Sequence, residues 1–529
     1  MRLSFRKKIA ALAFTCVSAA LTLPLMSFSA HAAELKIGLF ADISSLDPHF
    51  NNIAPNISLS SHFFDALVNV DANGQLIPGL ATSWRAIDPF TWEFKLRPGV
   101  KFSDGTALTA EDVVFSIDRP AKLTNSPGPF TSYTKQIISK QIVDADTIRF
   151  KTATPYGPLA LDLSTIFIVS KKAALSATTE DFNSGKALIG TGPFKFGSFA
   201  RGDRIELLRN DLYWGSKPEW DKVTFRILTS DSARVAALLA GEVDAIESVP
   251  PADVPSLKAN PKFQLQRKTS WRTLFWTMDQ ARDTSPDITG KDGKPLAKNP
   301  LKDIRVRQAI SKAINRQALS DRTLEGLAIP ASNIVAPGIL GYADNLKVEK
   351  YDPVAAKKLL ADAGYPNGFN LTLHGPNNRY INDERVVQTV AQFLSRIGIQ
   401  TKVETFPLSV YFGKARAGEF SVALLGWGTL AADFGLRTLV GTINPETGWG
   451  SWNWGKYTNP KVDQLVQLSL GSVNPEQRQI YAKQAEVMAL QDYAVIPLYH
   501  QYATWAVRKG IKYAPRTDEF TFAHQFHPG

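Results

Sequence analysis

Cysteine is almost absent from the sequence: one residue of 529, Cys16, is a cysteine. Cys16 lies in an apolar segment near the start of the chain, so the rest of the chain has no thiol for a disulfide, a thiolate metal site or a cysteine nucleophile. Long apolar runs are also missing after residue 28, and none reaches the roughly 18 residues that cross a membrane. We therefore expect a soluble chain that folds without disulfides.

Recognisable catalytic and cofactor motifs are missing as well. The sequence has no G-x-S-x-G elbow, no Walker A run, no H-E-x-x-H pair and no G-x-G-x-x-G after a strand. His524 and His527 are three residues apart near the end of the chain and make a weak metal pair. We expect no catalytic residue, no metal site and no cofactor. A pair of catalytic carboxylates leaves no local signature, so an exported hydrolase stays open as an alternative.

Residues 1–32 have the pattern of a secretory signal peptide. Four basic residues precede an apolar stretch at 9–28, and Ala30 and Ala32 occupy the small-residue positions of a cleavage site. We predict cleavage after Ala32 and export to the periplasm. Loss of the four charges lowers the net charge from +11 to +7. The remaining basic residues are scattered among acids, which indicates a solvated surface and not a nucleic-acid groove.

The length of the chain predicts two or three domains, because roughly 500 residues exceed a single core. Residues 80–200 read as strands and turns with one or two helices. Residues 223–246 read as a strand, a helix capped by Ser230, and a second strand. From about residue 300, strands and helices alternate, which predicts a parallel sheet covered by helices. A polar segment at 280–300 is placed at a domain boundary.

Two predicted strand ends carry the best ligand-binding candidates. Open α/β sheets bind ligands beyond the carboxyl ends of their strands. The strand at 370–374 runs into GPNNRY, and the strand at 422–425 runs into GWGTLAADFG. Their glycines let a ligand approach the backbone. A tryptophan-rich segment, GWGSWNWGKY, offers a further stacking wall, although core packing of two of its three tryptophans is the stronger expectation. The candidate ligand-binding residues are Trp427, Asp433, Gly426, Arg379, Tyr380 and Trp452.

Several motifs, in order along the chain, resemble the family 5 extracellular solute-binding proteins. They are SLDPH at 45, LIPGLATSW at 76, WEFKLRPGVKFSDGTALTAEDVVFSI at 92, GTGPF at 190, GEVDAI at 241, IRVRQAISKAINR at 304, YDPVAAKKLLADAGY at 351 and LGWG at 425. The resemblance covers nearly the whole chain after the signal peptide. It implies a periplasmic receptor that delivers a solute, in most members a peptide, to the permease and ATPase subunits of an inner-membrane ABC importer. We expect a monomer.

The resemblance also implies an α/β, two-lobe periplasmic binding protein fold of the cluster C type, with an extra strand-rich domain in the first lobe. The implied division is a signal peptide at 1–32, lobe I at 33–79 plus 205–278 plus 505–529, the extra domain at 80–204, and lobe II at 279–504. The ordered block at 92–117, in which Thr109 and Asp112 predict a capping box, would then be a scaffold element of the extra domain.

One departure from the family pattern concerns the ligand. In peptide-binding members an aspartate three residues after the Gly-Trp tryptophan pairs with the peptide's amino group, and here that position is Leu430. The next acid is Asp433, which would have to take over that role. Otherwise the solute would be a sugar, an opine, haem or a metal chelate. A secreted chaperone-like protein that binds unfolded chains is a third possibility.

Overall fold

The structure is a computed structural model that describes residues 33–529, so the predicted signal peptide lies outside the described residues. The strands in the described part are β1 Glu34–Leu39, β2 Val68–Val70, β3 Leu76–Pro78, β4 Ala81–Asp88, β5 Thr91–Leu96, β6 Ile137–Asp144, β7 Thr147–Thr152, β8 Phe194–Ala200, β9 Arg204–Arg209, β10 Lys222–Ile227, β11 Ala245–Glu247, β12 Phe263–Met278, β13 Ile288–Thr289, β14 Ala328–Pro330, β15 Asn370–Pro376, β16 Gln400–Phe406, β17 Val422–Gly428, β18 Val495–Arg508, β19 Ile511–Tyr513 and β20 Phe526–Pro528.

Helices cover both faces of the strands. Over the same residues they are α1 Ala54–Phe63, α2 Ala110–Asp118, α3 Thr131–Thr134, α4 Leu159–Asp162, α5 Lys171–Ala174, α6 Thr179–Asn183, α7 Asp231–Leu239, α8 Val254–Ala259, α9 Ile304–Ala313, α10 Arg316–Ala318, α11 Pro353–Asp362, α12 Asp383–Ser395, α13 Leu408–Arg416, α14 Ala432–Leu439, α15 Pro460–Gly471 and α16 Pro475–Gln491.

One mixed sheet runs through both lobes. Within residues 33–529 it has twelve strands, in the order β13-β15-β17-β12-β18-β11-β1-β10-β9-β8, with β14 on β18 and β16 on β15. We call the part built on β1 and β8–β11 lobe I, and the part built on β13 and β15–β17 lobe II. The long strands β12 and β18 belong to both parts, so the lobes are joined by paired strands.

The change of lobe occurs inside β12. Its first half pairs with the end of β18, which pairs in turn with β11, and its second half pairs with β17. The register shifts between Thr269 and Thr273, a β-bulge that bends the strand. The predicted lobe boundary at 278/279 coincides with the end of β12, and it stays a prediction. The rest of the domain division stays a prediction.

The predicted strand–helix–strand unit of lobe I is confirmed. β10 and β11 lie parallel to β1 on its two sides, and α7 connects them. The helix begins where predicted, since the side chain of Ser230 accepts a hydrogen bond from the amide of Ala233. The carboxyl ends of β1 and β11 therefore meet at one edge of the sheet.

The block at 92–117 folds as a strand, a turn and a helix, as predicted. β5 pairs with β4 and β7 in a four-stranded antiparallel sheet, β4-β5-β7-β6. Ahead of α2, the amide and hydroxyl of Thr109 both donate to the carboxylate of Asp112, which closes the predicted capping box. Phe94 and Phe150 are fully buried beneath this sheet. The block builds a scaffold, which explains its lack of chemistry.

Lobe II has the predicted parallel arrangement. β15 pairs in parallel with β16 and with β17, and α12 connects β15 to β16. α11 begins at Asp352, whose side chain accepts from the amide of Ala355, and ends before Gly364, whose φ of +93° favours glycine. Because β15 and β17 are parallel neighbours, their carboxyl ends and the loops that follow them lie side by side.

Candidate functional site

Gly426 and Tyr380 form a buried support under the edge where β15 and β17 end. The Gly426 amide donates to the Tyr380 hydroxyl at 2.9 Å, and Tyr380 is 8% exposed. A Cβ on Gly426 would lie 2.7 Å from the Tyr380 ring, so the ring requires glycine here. The structure thus gives these two predicted residues a positioning role for their neighbours; direct contact with a ligand stays a prediction.

Arg379 presents a guanidinium group at the surface of this edge. It is exposed, its backbone amide donates to Asp383, and its guanidinium lies 5.4 Å from the centre of the Tyr380 ring. Among residues 33–529, no carboxylate lies within ion-pair distance of this group. Desolvation and the nearby positive charge of Arg272 lower the pKa of Arg379. The guanidinium therefore lies near a second positive charge, with its donors available to an anionic group.

The bulge of β12 carries an ion pair that sequence analysis missed. Arg272 donates to the carboxylate of Glu519 at 2.8 Å, and that carboxylate also accepts from Ser270 and Gln501. The pair ties the crossing strands to the C-terminal segment. No local signal could have revealed it, because Arg272 and Glu519 are 247 residues apart.

Aromatic side chains line the neighbouring part of lobe II. The ring centres of Trp427 and Trp452 are 5.5 Å apart, and Trp452 lies 5.5 Å from Trp454. All three are half-buried and pack against the lobe II core, as does Trp449. The tryptophan-rich segment thus contributes more to packing than the expected two of three. The indole N–H of Trp427 is buried and has no hydrogen-bond partner within the described chain.

Asp433 is not brought to the surface with Arg379 and Trp427. It is fully buried in the first turn of α14, and its carboxylate accepts from Arg478 at 2.7 and 3.1 Å and from the Ser469 hydroxyl at 2.9 Å. Burial alone would raise the pKa of the Asp433 carboxyl, but the charge of Arg478 lowers that pKa below its usual value. The carboxylate already has its cation, which corrects the expectation that it awaits a ligand amine.

The histidine pair near the C-terminus has separate partners. His524 stacks on Phe522, and His527 lies 3.0 Å from Glu219. Across residues 33–529, no group of three or more histidine, cysteine, aspartate or glutamate residues could hold a metal ion. In the same part of the chain, no helix combines the length and the apolar character that a membrane crossing requires.

Comparison with known proteins identifies relatives over most of the chain. The family model for bacterial extracellular solute-binding proteins, family 5 Middle, matches residues 75–440. The dipeptide-binding protein of Escherichia coli K12 is 28% identical over 474 residues, which are 83% of each chain. The glutathione-binding protein GsiB of Shigella flexneri is 28% identical over 491 residues, 90% of each chain.

Solved structures show the same fold. The periplasmic binding protein DppA of Helicobacter pylori, in complex with the peptide STSA, matches with a TM-score of 0.74 and 26% identity, over 94% of this chain and 98% of that one. HbpA2 of Haemophilus parasuis matches with a TM-score of 0.80 at 23% identity, over 94% of this chain and 100% of that one. The α/β, two-lobe architecture expected from the motifs is thereby confirmed.

Proposed function

Since the chain belongs to the bacterial extracellular solute-binding proteins of family 5, we propose that it captures peptides in the periplasm and delivers them to an ABC importer in the inner membrane. Dipeptide-binding, glutathione-binding and peptide-complexed relatives support the peptide as solute. The proposal includes export through the predicted signal peptide, action as a monomer, and release of the solute unchanged.

The availability of Arg379 carries this proposal. Its guanidinium is exposed and lacks a carboxylate partner in the described chain, whereas its neighbour Arg272 is neutralised by Glu519. Guanidinium groups bind carboxylates in a bidentate manner. A peptide offers such a group at its C-terminus, and the indole of Trp427 on the next strand offers a flat apolar surface beside it.

Lobe closure around the peptide follows from the connection between the lobes. The lobes are joined by the paired strands β12 and β18, which bend at the bulge of β12. A small rotation at this bulge would therefore change the distance between lobe I and lobe II. A ligand favours the closed form when it contacts both lobes, because it then binds that form more tightly.

A carboxylate-bearing solute other than a peptide is the second candidate. Leu430 stands where peptide-binding members have their amine-binding acid, and Asp433 is paired with Arg478. Lobe II therefore offers a site for an anion without an obvious site for an ammonium group. A sugar acid or a metal chelate would satisfy Arg379 equally well.

Native mass spectrometry of the protein purified without refolding tests the choice between these candidates. A bound mass that fragments as a peptide supports the proposal, and its recovery intact after prolonged incubation supports capture without hydrolysis. A bound sugar acid or chelate, together with no calorimetric response to di-, tri- and tetrapeptides, would move the protein to the second candidate. Cleaved peptide would instead revive the hydrolase alternative.

Replacement of Arg379 by methionine is expected to weaken peptide binding by about tenfold to 150-fold, because charge-assisted hydrogen bonds contribute about 1.5–3 kcal/mol. Isothermal titration calorimetry measures the loss. Arg385→Met is the matched control: Arg385 is also exposed and lies six residues further on, but it pairs with Glu325 at 3.3 Å. Equal losses in both variants would contradict a specific role for Arg379.

Replacement of Trp427 by alanine is expected to weaken binding by about 1–2 kcal/mol through loss of a stacking surface. Trp427→Phe retains a ring but loses the unpartnered indole N–H, so it separates stacking from hydrogen bonding. Thermal unfolding reports the packing contribution of the same side chain. Unchanged affinity with a lower melting temperature would assign Trp427 to the core alone.

A further inference from the structure

Lobe I contains a pocket at the carboxyl ends of β1 and β11. It opens to solvent, and its free volume of about 40 Å³ exceeds the roughly 10–15 Å³ that one water molecule needs, which is enough for an ammonium-sized group. Its walls are mainly apolar. The apolar lining includes Phe40, Ile43, Leu59, Phe225 and Phe520, and the polar lining includes His62, Glu247, Glu519 and Thr521.

Glu247 is the buried acid of this pocket. It is 9% exposed, and its carboxylate accepts hydrogen bonds from the amide of Phe40 and the hydroxyl of Thr521. No lysine, arginine or histidine of the described chain lies within ion-pair distance of it. Burial raises the pKa of Glu247 to about 6, so the group is mostly ionised at neutral pH. A buried carboxylate without a cation is costly, and the pocket would gain from receiving one.

The charged neighbours of Glu247 cannot supply that cation. Arg234 donates to the backbone oxygen of Glu247 at 3.1 Å and to the Asp231 carboxylate at 2.6 Å. Glu519 is negative and is occupied by Arg272. Burial lowers the pKa of His62 to about 4, and its Nε2 accepts from the amide of Ala523, so it is neutral. The pocket is therefore electronegative as well as apolar.

The pocket is connected to the surface that carries Arg379. The ring of Phe520, in the pocket wall, packs edge-on against the ring of Trp271, with 5.8 Å between the ring centres. The neighbouring Glu519 accepts a hydrogen bond from Arg272 in the bulge of β12. Trp271 in turn covers Gly428, at the end of β17. These contacts place the pocket close to Arg272, whose charge also acts on Arg379.

We propose that the lobe I pocket receives a cationic nitrogen of the peptide, at its amino terminus or on a lysine side chain, with Glu247 as the counter-charge. The inference rests on the proposed function and specifies its substrate as a peptide with an ammonium group on an apolar stem. It also provides the acidic partner for the amine that lobe II does not offer. In lobe II, Leu430 occupies the position of the family's amine-binding acid, and Asp433 is paired with Arg478.

Calorimetry with defined peptides tests the inference. The probes are Lys-Ala, Lys-Ala-Ala and Lys-Ala-Ala-Ala, each also with norleucine in place of lysine and with an acetylated amino terminus. The wild type is expected to bind the peptide that retains the recognised ammonium about tenfold or more tightly than the form that lacks it, in line with the energy of charge-assisted hydrogen bonds. The norleucine series reports the side-chain nitrogen, and the acetylated series reports the terminus. Glu247→Gln is expected to abolish the preference.

Glu242→Gln is the matched control, because Glu242 is an exposed lobe I acid outside the pocket lining. It is expected to keep the wild-type preference, and Glu247→Asp, which retains the charge, to keep part of it. Peptide binding without preference for either nitrogen, or a preference that survives in Glu247→Gln, would overturn the inference and leave peptide capture standing. No binding of any peptide to the wild type would overturn both.

Discussion

Asp433→Asn is expected to lower the free energy of unfolding by about 3–5 kcal/mol, the cost of leaving a buried ion without its partner. Asp433 is completely buried, and Arg478, 7% exposed, would keep its charge among apolar neighbours. The substitution keeps the size and the hydrogen bond from Ser469, so the loss reports the charge pair. Urea unfolding at pH 7 measures it.

Two further variants make this test specific. The double variant Asp433→Asn/Arg478→Met removes both charges and is expected to recover more than half of the loss, because an apolar replacement of a buried pair is often neutral. Asp344→Asn breaks the exposed pair with Lys483 and should cost less than about 1 kcal/mol. Unchanged stability of Asp433→Asn, together with a loss of peptide affinity, would return Asp433 to the binding site.

Glu486→Gln is expected to raise the free energy of unfolding by about 3 kcal/mol at pH 7. Glu486 is fully buried in α16; one carboxylate oxygen accepts from the Ile334 amide at 2.6 Å, and the other has no partner within the described residues. Burial raises its pKa from 4.5 to about 8. The glutamine side chain can still accept the hydrogen bond from Ile334. It is neutral in both the folded and the unfolded state, so folding of the variant requires no protonation.

The pH dependence has a definite sign. The folded protein holds the Glu486 proton more tightly than the unfolded chain, so this group's stabilising contribution is complete below pH 4.5 and decreases as the pH rises to about 8. The gain in Glu486→Gln should therefore be small at pH 4.5 and larger at pH 8. Glu476→Gln, at an exposed site in the same helix, should show no such trend. A gain that is independent of pH would contradict a neutral, buried Glu486.

Local patterns predicted most of the elements. The capping box at Thr109 and the strand–helix–strand unit around Ser230 both formed where expected. Each depends on residues within a few positions of one another, where backbone geometry and the spacing of apolar residues decide the outcome. The motifs at 45–425 predicted the family and the two-lobe fold for the same reason, since they are contiguous sequence.

The site was predicted only in part. The strand ends pointed to Arg379 and Trp427, but Asp433 appeared free because its partner Arg478 is 45 residues further along the chain. Arg272 and Glu247 were not noticed, since their partners, Glu519 and Thr521, are 247 and 274 residues away. Isolated acids and arginines carry no pattern that tells a paired charge from an available one.

The sequence by itself determined most of the elements and the family, and it indicated the edge of the sheet where we propose that a ligand binds. The tertiary structure decided which charges are available there. It paired Asp433 with Arg478, left Arg379 without a carboxylate partner among residues 33–529, and buried Glu247 beside an open pocket. The physical reason is that the availability of a charge depends on distance in space and on burial, and both are established only when β12 and β18 bring remote segments together.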